Sequence, residues 1–345
     1  MDPVGSALID FVETAYNLEL EQHEWLPKLL DAWAPAVDHG LGFMALTCTR
    51  PPEPGPLVID QLHVASGPDD LLAGMGTLLG ELNTELLWPL SRPGMPKTLS
   101  EVTESRDPRV FEQIMRHFEL AKDGLGISAL DPNGRGAYLI AALSEVTTLS
   151  QKSRERWQML GAHFGAGHRL RSAFPGAGSE PTTDLPYGAE AVIDPSSFRV
   201  TEAQGQAKSR AALDALRDAA LRVDRARGSM RESDPAKALE LWKALVRGRW
   251  STVDWFDSDG RRFVLGVPNA PDVTDPRGLT DPEMRVVAYA ILGQTNKLIA
   301  YHLGISEGRV STLLNSVMAK LRVQTRAHLI KKLSGFRALT EPSTV

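Results

Sequence analysis

The sequence predicts an α+β chain in which two antiparallel-sheet segments with helices are followed by an all-α module. Three observations carry this. Through residue 269, short apolar runs bounded by turn residues alternate with stretches of helical apolar spacing. Two Gly/Pro-rich breaks, residues 174–187 and 269–275, divide the chain into blocks. After the second break only short helices with strong capping signals remain.

The first block, residues 1–175, opens with two helical patterns: Ala7, Leu8, Phe11, Val12 and Ala15, then Trp25, Leu29, Leu30 and Trp33. Residues 42–49 and 57–65 read as strands around a Pro-rich turn at 51–56. Residues 70–87 read as a helix, 89–96 as a loop and 108–119 as a short helix. Asp131-Pro132-Asn133-Gly134 is a strong turn signal, so 124–130 and 136–143 are expected to pair as a hairpin. A long helix over 150–174 closes the block.

The second block, residues 188–270, starts with short strands at 191–193 and 198–202. Helices are expected over 207–227 and 235–246, the latter capped by Ser233 or Asp234 with Pro235 in its first turn. Strands at 250–256 and 261–267 flank Asp257-Ser258-Asp259-Gly260, with Gly where a positive φ is easiest.

The third block, residues 275–337, carries the most specific pattern. Thr280 is a helix N-cap with Glu283 as its capping-box partner, and Val286, Val287, Ala290 and Ile291 form an apolar stripe. Gly293 ends that helix, Thr295 caps a second, Gly304 ends it, and Ser306 caps a third that runs to about Leu321. Two short helices joined by a tight Gly turn form a helix-turn-helix, whose second helix is the one that enters the DNA major groove.

Charge agrees with that division. Ten basic residues against three acids from Arg277 to Arg337 give +7, which leaves −12 on the rest of a chain of net charge −5. A basic module on an acidic body points to a polyanionic partner at one end.

The third block closely resembles the LuxR-type helix-turn-helix. The resemblance rests on Leu279, Thr280, Glu283, Val286, Gly293, Thr295, Asn296, Lys297, Ile299, Ala300, Leu303, Gly304, Ile305, Ser306, Val310, Thr312, Lys320, Leu321, Val323, Thr325, Arg326, Ala327 and Leu329, spaced without a gap. It implies four helices, the third in the major groove of double-stranded DNA and the fourth, over about 325–333, often used for pairing. The sequence departs from the family at Arg309, where Thr is usual, at Ser311, where Lys or Arg is usual, and at Leu313, where His is usual; Arg285 and Leu298 replace Glu. The residues expected at DNA are Thr295, Asn296, Lys297, Ser306, Glu307, Arg309, Val310, Ser311, Thr312, Asn315, Lys320 and Arg326, with Arg322 in support.

By the order of its elements the first block resembles a GAF domain, and by its opening and closing hairpins the second resembles a small PAS-related domain. Phe43, Met44, Met75, Trp88, Met95, Phe111, Ile114 and Met115 offer the first block an apolar pocket, with Phe43, Met75, Trp88, Phe111 and Met115 as the expected ligand contacts. An alternative leaves them as ordinary core. His63, His117, His163 and His168 lack ligand spacing, so no metal is expected, and Cys48 on an apolar strand reads as a small buried hydrophobe.

Composition sets further bounds. At 345 residues, two or three domains are expected, and 42% hydrophobic with 23% charged residues suits globular cores. A single cysteine excludes a disulfide framework within the chain and a Cys-rich zinc site. Residues 1–10 show no signal-peptide pattern, and no apolar stretch reaches the roughly 18 residues of a membrane span, so the cytoplasm is the expected compartment. No receiver-type acidic pair, phosphate-binding Gly loop, Ser/His/Asp or Cys/His constellation is found, so neither a cofactor nor an enzyme is expected.

The expectation is a homodimeric transcription regulator that answers a small-molecule effector or a regulatory protein. The alternative is an interaction protein that uses the same fold without touching DNA.

Overall fold

The computed structural model describes residues 3–49, 58–67, 96–104, 108–116, 118, 120–131, 134–173, 183–271 and 279–334. The expected 70–87 helix, the 51–56 turn, Met75, Trp88, Met95 and His117 lie outside them. The α+β expectation holds: two antiparallel sheets precede a helical C-terminal module.

Helices α1 (Pro3–Ala15) and α2 (Gln22–Val37) open the chain. A capping box between Glu21 and Glu24 starts α2, and its stripe of Trp25, Leu26, Leu29, Leu30, Trp33 and Val37 is buried. Strands β1 (Phe43–Thr49), β2 (Val58–Ala65), β3 (Lys97–Thr98), β4 (Asp123–Leu130) and β5 (Arg135–Leu143) form one sheet in the order β2-β1-β5-β4-β3. Between β3 and β4 lie α3 (Leu99–Glu104) and α4 (Pro108–Met115), the latter shorter than expected. Strand alternation splits the sheet into two faces. Phe43, Ala45, Leu125, Ile127, Ala137 and Leu139 pack into the core beneath the helices, while Leu46, Cys48, Leu130 and Tyr138 form a smaller core.

The long helix α5 (Gln151–Ser172) starts where Ser150 Oγ accepts a hydrogen bond from the Ser153 N–H. It crosses α1 so closely that a Cβ on Gly167 would stand 2.4 Å from the Ala15 carbonyl oxygen, so only glycine fits. Arg169 of α5 pairs with the buried Asp131 of the β4–β5 turn and donates through Nε to Asn269 O and Oδ1, each at 3.1 Å. Burial works against the Arg169 charge, but Asp131 and Tyr289 nearby carry its pKa above the ordinary arginine value.

The second segment contains β6 (Ala191–Ile193), β7 (Val200–Ala203), α6 (Arg210–Arg227), α7 (Met230–Ser233), α8 (Pro235–Leu241), β8 (Trp250–Phe256) and β9 (Arg262–Pro268), with strand order β7-β6-β9-β8. Three expected boundaries move. Strand β7 begins at Val200 and not at 198, because Phe198 takes a left-handed φ of 52°. A 3₁₀ turn, Gly205–Lys208, takes the start of the expected 207–227 helix, and Ser209 caps α6. Helix α8 stops five residues early because Trp242 is extended (φ −80°, ψ 97°) and buried. The freed segment turns toward the C-terminal module, where Leu245 joins the module's own core.

The two sheet segments share a core. Val223, Ala226, Leu239, Trp242 and Leu265 pack in one cluster with α1, α2 and α5. Arg227 pairs with Glu13 of α1 (2.9 Å) and with Asp254 of β8 (2.6 Å), and its guanidinium lies 4.7 Å from the Trp242 ring centroid. Arg231 pairs with Asp10.

The long helix over 150–174 and the last helix, over about 325–333, offer the apolar faces on which a homodimer is expected to pair, and both faces are occupied within the protomer. Trp157, Leu160, Phe164 and Leu170 of α5 lie in the shared core, and Leu329 and Leu333 of the last helix lie in the module core. No helix among the described residues is long and apolar enough to cross a membrane, and no three His, Cys, Asp or Glu among them cluster as metal ligands.

Candidate nucleic-acid interface

Four helices build the C-terminal module: α9 (Asp281–Ile291), α10 (Asn296–Leu303), α11 (Glu307–Lys320) and α12 (Arg326–Ser334). Each of the first three begins at the cap that the sequence indicates. Thr280 and Glu283 complete a reciprocal capping box, Thr295 Oγ1 accepts from Leu298 N–H at 3.3 Å, and Ser306 Oγ accepts from Arg309 N–H at 3.2 Å. Gly304 ends α10 in the left-handed region (φ 61°, ψ 34°), and the tight turn aims α11. Val286, Val287, Ile299, Leu303, Val310, Leu314 and Val317 fill the core between the helices.

Glu283 ties α9 to α11. Its buried carboxylate accepts from the Thr280 N–H (2.8 Å), Ser316 Oγ (2.6 Å) and Lys320 Nζ (2.6 Å). Burial works against its charge, but the bonds from Lys320, Ser316 and Thr280 hold the carboxyl down at about 2. Lys320 therefore fixes the angle between two helices, in addition to carrying charge at the end of α11.

Packing on the inner side of α11 leaves its outer side to solvent. Arg309, Thr312 and Asn315 are exposed on one face, with Glu307 at its tip. Val310, expected to meet DNA, is fully buried in the module core; its place is to pack α11 and not to contact bases. Ser311, where the family usually has a cation, accepts from Asn296 Nδ2 at 3.1 Å and donates to the Glu307 carbonyl at 3.1 Å. Asn296 in turn accepts from Arg326 Nη1 at 2.6 Å, and Arg326 also donates to the Gln294 carbonyl. Thus Asn296, Ser311 and Arg326 form a brace that joins α10, α11 and α12. Thr295 and Ser306 are exposed caps at the starts of α10 and α11.

The cations divide in the same way. Arg309 and Arg322 are exposed, while Lys332 donates to the Leu321 carbonyl at 2.8 Å. Lys297, at the start of α10, pairs with Glu155 of α5 at 2.7 Å. That pair is open to solvent, so it is weak and a phosphate can replace the carboxylate at small cost.

Of the expected ligand contacts, Phe43 packs edge-on against Trp33 in the core, with ring centroids 6.0 Å apart. Phe111 and Met115 are half-buried on α4.

A network that the sequence does not announce joins the module to the body. Tyr16 Oη lies 3.0 Å from His163 Nδ1, and His163 Nε2 lies 2.6 Å from Tyr301 Oη of α10. The partners are separated by 147 and 138 residues. Tyr16 stands in no motif, Tyr301 is not among the residues that carry the resemblance of its helix, and His163 falls at an ordinary helical position, so no local pattern marks the group.

The family match agrees with the geometry of the C-terminal module. Residues 277–333 match the family described as "Bacterial regulatory proteins, luxR family". The module is a LuxR-type helix-turn-helix domain, and that family is one of regulators and not of enzymes. Among curated proteins nothing matches the chain. Two solved structures align along most of its length. Escherichia coli SdiA has a TM-score of 0.32 at 10% identity, covering 94% of this chain and 94% of that one. SdiA in complex with octanoyl-rac-glycerol has a TM-score of 0.32 at 11% identity, covering 97% of this chain and 94% of that one.

Proposed function

Proceeding from a C-terminal LuxR-type helix-turn-helix domain, we propose that the chain is a DNA-binding transcription regulator whose N-terminal body senses an effector. The observation that carries this reading is the solvent-facing side of α11, where Arg309, Thr312 and Asn315 lie free of the module core. A helix seated in the major groove presents its early outward residues to base edges. Arg309 is the long cation among them, suited to a bidentate contact with guanine. Thr295, Lys297 and Ser306 stand where helix starts meet phosphates, and Lys320 and Arg322 add positive charge at the far end of α11. Arg326 and Asn296 support the reading helix from within.

The body reads as the sensor. Its first sheet, antiparallel with helices packed on it, suits the GAF-like reading, and the second, smaller sheet suits a PAS-like module. A small molecule or a regulatory protein acts on it, in the cytoplasm. Helix α5 gives that signal a path, because it packs on β4 and β5 at one side and against α10 at the other. In this reading a homodimer reads two half-sites, joined through surfaces other than the buried apolar faces of α5 and α12.

Substituting Arg309→Ala tests the assignment. Duplexes selected from a random pool by the wild-type chain are expected to lose their advantage over unselected DNA by about tenfold, the worth of one good arginine–guanine contact. Unchanged preference in the variant would remove Arg309 from base reading.

A further inference from the structure

We infer that the C-terminal module is latched to the body through Tyr301, and that this latch holds DNA binding down until it opens. The inference rests on the DNA-binding reading above. Tyr301 belongs to α10, yet its ring is buried in the core of the body and not in the core of its own module. Its hydroxyl is fully engaged there. It lies 2.6 Å from His163 Nε2, 2.7 Å from the Leu239 carbonyl and 2.8 Å from the Trp242 carbonyl. Two arrangements of protons satisfy the chain. Either Tyr16 donates to His163 Nδ1, His163 Nε2–H donates to Tyr301 and Tyr301 donates to a carbonyl at the end of α8, or Tyr301 donates to His163 Nε2, His163 Nδ1–H donates to Tyr16 and Tyr16 donates to the Ala244 carbonyl, 3.2 Å away. Lys243 Nζ covers the outer face of the Tyr301 ring, 4.6 Å from its centroid.

Three further contacts set the module in the same place. A Cβ on Gly304 would stand 1.7 Å from the Leu245 carbonyl oxygen, so the turn of the helix-turn-helix is pressed against the loop after α8. Arg285 of α9 donates to the Gly248 carbonyl at 2.9 Å. Lys297 pairs with Glu155 at 2.7 Å.

All of this falls on α10 and its neighbours. In a helix-turn-helix seated on DNA, the helix before the recognition helix crosses the phosphate backbone. Here that helix is held by the body, and the carboxylate of Glu155 occupies the position beside Lys297 that a phosphate oxygen needs. Docking on α5 and seating on DNA therefore compete for one helix, and whatever weakens the first strengthens the second.

The test uses the full chain and a fluorescent duplex of mixed sequence, followed by anisotropy, with hydrogen exchange of the α10 amides read in parallel. Tyr301→Phe removes the hydroxyl, and Arg285→Met removes the bond to the Gly248 carbonyl. Both are expected to speed exchange in α10 and to tighten DNA binding by about fivefold or more. Glu155→Gln lies on the surface and leaves the fold alone. It is expected to tighten binding by about twofold at low salt, with the gain vanishing as salt screens the pair. Faster exchange with unchanged DNA affinity in both latch variants, or slow exchange in both, overturns the latch. A duplex bound by no version of the chain overturns the DNA-binding reading beneath it, which the Arg309→Ala comparison tests independently.

Discussion

Acidification from pH 7 to pH 5 is expected to destabilise the fold by about 2 kcal/mol for each fully buried neutral histidine. Burial holds His163 down at about 3 and His168 at about 4. In the unfolded chain a histidine titrates near 6.5. Between those values the unfolded chain takes up protons that the folded chain refuses. The stabilisation is therefore complete above about pH 6.5 and is lost as the pH falls toward 4. His302, stacked on Tyr289 with centroids 4.7 Å apart, is also pushed below the ordinary histidine value by the covering of its ring and acts in the same direction. Glu283 acts in the same direction below the ordinary carboxylate range, since its protonation frees Lys320 and Ser316. Urea unfolding at the two pH values checks this. A lower midpoint at pH 5 with an unchanged slope is expected, and equal midpoints would contradict the buried, neutral state of these rings.

Replacing Arg169 with Met is expected to destabilise the protein by about 3–5 kcal/mol, the cost of leaving a buried carboxylate unpaired. Asp131 loses its cation, and both Asn269 oxygens lose a donor. Because Arg169 joins the β4–β5 turn, α5 and the residue after β9, the loss falls on the junction of both sheets. The paired replacement, Arg169→Met with Asp131→Leu, is expected to recover much of the stability because no charge is left stranded. Urea midpoints of the two variants distinguish the cases. Equal loss in the single and paired variants would show that packing, and not the unpaired charge, sets the cost.

The parts of this structure written in local chemistry were legible in the sequence. Thr280 with Glu283, Thr295, Ser306 and Gly304 mark helix ends within a few residues of one another, and each ends or begins a helix where expected. The β4–β5 and β8–β9 hairpins were legible for the same reason, since their Asp/Gly turns fix pairing at short range. Boundaries failed where tertiary packing overrides propensity. Trp242 leaves α8 in order to fill the core, and no property of the heptapeptide Pro235–Leu241 announces it. The candidate interface was legible in outline only. Arg309, Thr312 and Asn315 face out as a helical period requires, and the same period turns Val310, Leu314 and Val317 inward, but it does not reveal that Ser311 and Arg326 brace Asn296 or that Lys320 is paired with Glu283. Least legible is the Tyr16–His163–Tyr301 chain, which exists only because α1, α5 and α10 meet in space.

The most direct test of the account is the salt dependence of duplex binding by the full chain. Arg309 and Arg322 face solvent, and Lys297 exchanges Glu155 for phosphate on binding. The account therefore predicts that the logarithm of the binding constant falls linearly with the logarithm of salt concentration, with a slope of about −2 to −3 for each module engaged. Failure to bind duplex DNA at the lowest salt, or binding that does not change with salt, would contradict it.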